Sequence, residues 1–416
     1  MKLLIAGLFA STSIASAQVQ FAFTNFAGLP GTPGSTNGSG SAARFQGPYG
    51  VALDAGGNLY VADSDNHMIR KVSPAGVVTT AAGSTNSGTT DATGTAAQFF
   101  HPRGVAVDSA TNVYIADSYN HTIRKMTPAT VVTTLAGSPS QPGSSDGTAT
   151  ARFNFPLGVA VDSATNVYVA DQGNHTIRMI TPAGVVSTLA GSAGQSGSAD
   201  GFGGIARFNL PYGVAVDNAG NVYVADTWNN LIRKIISGGY VMTLAGSGQS
   251  GSSDGSGTSA QFFQPNNLAL DSAGNLYVTD TWNFTIRKVT PGGIVTTLAG
   301  SAGQAGSANG IGSAARFNYP SGIAMDSAGR IYIGDTLNYR IAKGSPLFQF
   351  QTTTLFGGSL RALLTGPFGS NAVIEASTDL QSWSPVQTNS LSPDGLSLSL
   401  PIGTNPRSFF RARLAP

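Results

Sequence analysis

Apolar residues fall in short runs along most of the chain, and the runs are cut by Gly, Pro, Asn and Asp. One stretch shows the pattern: Leu157-Gly-Val-Ala-Val-Asp162, then Val167-Tyr-Val-Ala170, His175-Thr-Ile-Arg-Met-Ile180 and Val185-Val-Ser-Thr-Leu-Ala190. Between them lie Ser163-Ala-Thr-Asn166, Asp171-Gln-Gly-Asn174 and Thr181-Pro-Ala-Gly184. Short runs rich in β-branched and aromatic residues, punctuated by turn formers, predict four antiparallel strands. No helical period is sustained anywhere in the unit.

The same wording recurs six times. Asp63, Asp117, Asp171, Asp226, Asp280 and Asp335 mark one position, and Pro48, Pro102, Pro156, Pro211, Pro265 and Pro320 mark another in the same register of 54 or 55 residues. A fixed period of this size signals a propeller, solenoid or array. One four-stranded meander cannot bury both its faces, whereas six packed around an axis can. The segment Gln20-Phe-Ala-Phe-Thr-Asn-Phe-Ala-Gly28 aligns with the fourth strand of the unit, compare Val131-Val-Thr-Thr-Leu-Ala-Gly137. The sixth unit loses the pattern after Lys343. The N-terminal strand is therefore expected to complete the sixth blade and close the ring, removing an open sheet edge. The alternative is that Phe348-Gln-Phe350 supplies that strand.

The predicted architecture is all-β: a six-bladed β-propeller of four-stranded antiparallel blades over residues 18–346, plus a small β-sandwich-like domain over 351–416. In the latter, five strands are expected at Leu360–Leu364, Asn371–Ser377, Trp383–Gln387, Leu396–Leu400 and Ser408–Leu414. In the Gly/Ser-rich loops between blades, Phe45, Phe99, Phe153, Phe208, Phe262 and Phe317 read as plugs between neighbours, and Asp146, Asp200 and Asp254 as caps of short helical turns.

Composition narrows the function. The formal charge is +2 and only 10% of residues are charged, so no basic stripe for nucleic acid exists. Lys2, the apolar run to Ile14 and Ala15-Ser-Ala17 read as an export signal over residues 1–17, too short to span a bilayer. The exported protein is expected to be monomeric, without a membrane span, and with no cysteine to cross-link it.

Asn66-His67, Asn120-His121 and Asn174-His175, each followed by Met/Thr-Ile-Arg, resemble the motif of the NHL repeats. The resemblance covers roughly Phe21 to Lys343 and implies a six-bladed propeller used mostly as a binding platform, with a few enzymes in the family. Later copies depart from it: Asn230, Phe284 and Tyr339 replace the histidine, and Ala342 replaces the arginine of the sixth. The C-terminal strands resemble a small β-module of secreted bacterial proteins.

The repeated acid and arginine, from Asp63 with Arg70 to Asp280 with Arg287, read as one structural ion pair per blade, since catalysis needs one asymmetric constellation. His67, His121 and His175 stand too far from the axis to share a zinc, whose ligands lie within about 2.1 Å of the metal. Neither catalytic residues, metal ligands nor a cofactor is assigned. Tyr60, Tyr114, Tyr168, Tyr223, Tyr277 and Tyr332 read as packing between blades.

Positions that vary inside a fixed frame are the candidate site. After the second strand they run Asp65, Tyr119, Gly173, Trp228, Trp282, Leu337, and after the proline Tyr49, Arg103, Leu157, Tyr212, Asn266, Ser321. Both series should lie on one face. Tyr49, Arg103, Tyr119, Tyr212, Trp228, Asn266, Trp282, Phe284 and Tyr339 are the ligand-binding candidates, with an extracellular protein or glycan as partner. The rival is a lyase or lactonase with a divalent metal in the channel. The gluconolactonase family uses a glutamate there, and Glu375 is the only glutamate in this chain.

Overall fold

A computed structural model describes residues 19–347, 349–356, 359–365, 371–377, 382–390, 396–401 and 409–414. The export signal expected over residues 1–17 and Phe348 lie outside them. The described residues form two compact units, one over 21–345 and the other from 346 onward.

The first unit is a six-bladed propeller. In blade one the strands run outward as Pro48–Leu53, Leu59–Asp63, Met68–Val72 and Val77–Gly83, paired antiparallel in sequence order. The second strand is buried at every residue in all six blades. It is covered by a neighbouring blade on each face, which is why Val-Tyr-Ile-Ala reads as a continuous apolar run. In four blades a two-residue strand from the incoming loop adds a fifth, outermost position, for example Gly38–Ser39 against Val77 and Val78.

The ring closes as the sequence implies. In the sixth blade the order is Gly310–Ile311, Phe21–Ala27, Arg340–Pro346, Ile331–Asp335, Pro320–Met325, so the N-terminal strand holds the fourth position. Gln349 and Phe350, the described residues of the alternative donor, begin the strand Gln349–Phe356, which pairs instead with Ser359–Thr365. Across the joint, the Thr336 hydroxyl donates to the Pro48 carbonyl at 2.9 Å. The same bond recurs around the ring from Ser118 to Pro156, Thr227 to Pro265 and Thr281 to Pro320. The innermost strands pack so closely that a Cβ on Gly104 would collide with the Leu157 carbonyl, and one on Gly322 with that of Tyr49.

Each predicted phenylalanine plug is fully buried. Phe153, for instance, sits among Tyr114, Ala116 and Ile123 of one blade and Val159 and Val167 of the next. Removing such a ring typically costs about 3–5 kcal/mol. Tyr60, Tyr114, Tyr168, Tyr223 and Tyr332 are buried in the same inter-blade clusters, and Tyr277 is buried edge-on to Phe21.

The second unit contains six described strands in two antiparallel three-stranded sheets, one ordering Gln349–Phe356, Ser359–Thr365, Leu396–Pro401 and the other Ser384–Ser390, Asn371–Ser377, Phe409–Leu414. Leu364, Leu398 and Leu400 from the first sheet share a buried cluster with Ala372 and Ile374 of the second. The strand at Gln349–Phe356 was not anticipated, because its Gln-Thr-Thr-Thr centre gives no apolar run.

Candidate functional site

The repeat motif first has to be separated from the site. In every blade the repeat Asp is a clasp. Asp117 accepts the Phe100 amide on one oxygen, and on the other the Asn120 amide nitrogen at 2.8 Å and Arg124 at 2.7 Å. Arg124 also donates to the Gln98 and Thr90 carbonyls and lies 5.2 Å from the centroid of Phe99. One buried carboxylate thus ties the loop entering the blade to its second and third strands. Burial pushes Asp63, Asp117, Asp171, Asp226 and Asp280 up to about 6, against the opposing pull of their arginines.

Two expectations are corrected here. Asp146, Asp200 and Asp254 do not cap helical turns. They accept the second guanidinium nitrogen of Arg178, Arg233 and Arg287 at 2.6–2.8 Å, and a hydroxyl from the fourth strand, as in Thr188 to Asp146. The sixth blade also keeps its arginine. Ala342 holds the usual place, but Arg340, two residues earlier on the same face of the strand, donates to Asp335 at 2.8 Å and to the Arg316 carbonyl.

The histidines join blades. His67, His121, His175 and their replacement Asn230 adopt left-handed backbone with φ of 55–59°. Their side chains accept an amide from the following blade: His101, Phe155, Leu210 and Gln264 respectively, at 2.9–3.2 Å. Accepting at Nδ1 requires a neutral ring, and burial holds all three histidines below their usual value. Phe284 and Tyr339 stand at the same left-handed position in blades five and six, away from the channel mouth.

What remains is the face carrying the variable residues. The backbone ties the two loops of each blade together there: the Tyr119, Trp228 and Trp282 amides donate to Phe100, Asn209 and Phe263, just upstream of the proline. Tyr119, Trp228 and Trp282 are 40%, 52% and 45% exposed. Tyr49, Arg103, Leu157, Tyr212 and Asn266 converge at the channel mouth, where with the strand glycines they line a cavity of about 20 Å³, room for one water. The Trp228 indole donates to the Tyr212 hydroxyl, and the Trp282 ring lies 6.0 Å from Tyr319, itself 6.5 Å from Tyr49. The exposed rim and the mouth are therefore continuous.

A third series was missed. The residue before each proline is Gly47, His101, Phe155, Leu210, Gln264 or Tyr319, all with φ of 45–70°. Positive φ is costly for a bulky residue, and more so before proline. Four of the five bulky ones are held by the histidine or asparagine bond just described. Strained residues over-determined by their surroundings cluster at functional sites. Here they put His101, Phe155 and Tyr319 on the same face: His101 stacks at 4.7 Å from Tyr119 with its Nδ1 3.1 Å from Asp65, and Tyr119 meets Phe155 edge-on at 5.2 Å. The signal was available, as a hydrophobic or aromatic residue preceding a repeat proline.

The NHL repeat family matches residues 45–72, 99–126, 153–178, 208–235 and 317–343. The chain is an NHL-repeat propeller. The fifth copy, which carries Asn267, Thr279 and Phe284 in place of the usual residues, folds as a blade all the same. The NHL chain is 28% identical over 334 residues to NHL repeat-containing protein 2 of Gallus gallus, covering 71% of this chain and 46% of that one. It is 31% identical over 280 residues to Protein SUPPRESSOR OF QUENCHING 1, chloroplastic, of Arabidopsis thaliana, covering 63% and 26%. It thus spans half or less of either relative. An auxiliary nutrient binding protein from Bacteroides ovatus shares the fold, with a TM-score of 0.61 at 19% identity over 79% of this chain and 77% of that one.

Proposed function

We propose that this propeller is a non-catalytic binding scaffold, exported from the cell, which presents the face built by the pre-proline and second-strand loops to an extracellular protein or glycan. One observation carries the reading: on a frame that repeats its clasps blade after blade, this face varies, with exposed Tyr119, Trp228 and Trp282 beside a mouth lined by Tyr49, Arg103, Tyr212 and Asn266. Rigid scaffolds carrying variable loops are where binding residues concentrate, and aromatics supply contact area at low entropic cost. The donor chemistry supports a binder over a metal-dependent lyase or lactonase. The ring's repeat carboxylates are occupied by arginine, asparagine and amide donors, and no three His, Cys, Asp or Glu side chains converge among the described residues. Likewise no described helix is long and apolar enough to cross a membrane. Screening the protein on glycan and peptide arrays should yield a ligand whose capture is lost in Trp228→Ala and Trp282→Ala at an unchanged Tm. Capture indifferent to both substitutions would place the binding surface elsewhere and overturn the reading.

A further inference from the structure

Resting on that reading of the face, the chemistry of one residue narrows the ligand. Arg103 is the sole charged side chain lining the channel mouth. The clasp arginines meet aspartates, Arg330 meets Asp326, and Arg44, Arg152, Arg207 and Arg316 donate to backbone carbonyls. Arg103 has no such partner: no acidic group lies within ion-pair distance of it among the described residues, and its buried Nε, like those of Arg70, Arg124, Arg178, Arg233 and Arg287, finds no acceptor. The guanidinium is nonetheless held in place, 3.9 Å from the centroid of the Tyr49 ring. A cation stacked on an aromatic face keeps its N–H edge free for an in-plane acceptor.

Other polar groups share the mouth with it. Tyr212 and Tyr319 both lie within electrostatic reach of Arg103 and of Tyr49, and burial pushes both phenols above their usual value. They are therefore neutral hydroxyl donors at any ordinary pH. Asn266, 8% exposed, adds an amide to the same cavity. A fixed cation without a counter-ion, flanked by neutral donors, selects an anion. The cavity holds about 20 Å³, so the anion must sit at its opening with only one end inside. A carboxylate matches the guanidinium fork in two parallel bonds. The rest of the ligand must then lie across the rim, against Tyr119, Trp228 and Trp282, a polar aromatic surface rather than a greasy groove.

We propose that the channel mouth is a carboxylate subsite for an acidic sugar, with Arg103 gripping the carboxylate of a uronic-acid residue and the rim aromatics covering the sugar ring. The test uses the full chain and simple probes: the methyl glycosides of glucuronic and galacturonic acid, methyl glucoside as the neutral control, acetate, and a short peptide with a free C-terminal carboxylate, titrated by saturation-transfer NMR and calorimetry. The uronides should bind at least about tenfold more tightly than methyl glucoside, and Arg103→Gln should remove that preference while the protein stays folded, with Tm lowered by no more than the loss of one cation–π contact. Arg103→Lys, which keeps charge but not the fork, should recover only part of it. Equal binding of uronide and neutral glycoside, or an unaffected Arg103→Gln variant, overturns the proposal. Acetate or peptide binding as tightly as the uronides overturns the sugar assignment. Neutral glycans bound through Trp228 and Trp282 with no preference for acid would sink the subsite and leave the binding face standing. No glycan or peptide binding of any kind would sink both.

Discussion

Residue by residue, the frame depends on buried charge that is matched. Arg124→Ala would strand Asp117 in a fully buried setting, and breaking such a pair costs about 3–5 kcal/mol. Thermal or urea unfolding should show that loss, and a near-neutral result would contradict the clasp. The sixth blade offers a sharper check. Arg340→Thr should be destabilising by a similar amount, and adding Ala342→Arg should restore most of it, because blades two and three carry Thr and Arg at those places. The Asp and Arg pairing was legible from spacing alone, seven residues across a hairpin. The relocation to Arg340 was not, since a search by fixed position sees only Ala342. Nor was the second partner of Arg178, for Asp146 sits in a loop whose Gly/Ser content hides its order.

At the scale of elements, the histidine bonds make the joints between blades sensitive to acid. A histidine whose folded value is lowered stabilises the fold above about 6.5 and loses that contribution as pH falls below it. The clasp aspartates work in the opposite sense: raised to about 6 when folded, they favour the folded state at low pH and lose that contribution as pH rises through about 6. A comparison that cancels them is the triple variant His67→Asn, His121→Asn, His175→Asn, which copies the solution at Asn230, where the side chain accepts the same amide without titrating. Parent and variant should melt alike at pH 7.5, and the parent should fall behind the variant as pH drops to 5. Parallel curves would show that the joints do not depend on a neutral imidazole. The strands themselves were plain in the sequence because each is short, β-branched and bounded by turn residues. The pre-proline positions are marked only by their place before the repeat proline, since Gly47, His101 and Gln264 share no side-chain chemistry with Phe155, Leu210 and Tyr319.

For the molecule as a whole, closure is the decisive property. Deleting residues 19–28 removes the fourth strand of blade six and leaves Arg340–Pro346 with an unpaired edge. The shortened protein should melt lower and associate with rising concentration in light scattering. A monomeric product with the parent Tm would mean that the seam adds nothing. The ring was readable from the repeat period and from one displaced copy of the fourth strand. The candidate face was readable only as a list of irregular positions, and continuity between its mouth and rim required coordinates.

The seam has a consequence for how the protein is made. Phe21–Ala27 leaves the ribosome ahead of all six blades' remaining strands, yet its partner strand begins at Arg340. A strand made before the blades is thus the last to find its place, and five blades can be assembled before it does. Contacts so distant along the chain are slow to form. Until then the nascent protein carries a bare Phe-Ala-Phe segment whose two rings are buried only once the seam closes.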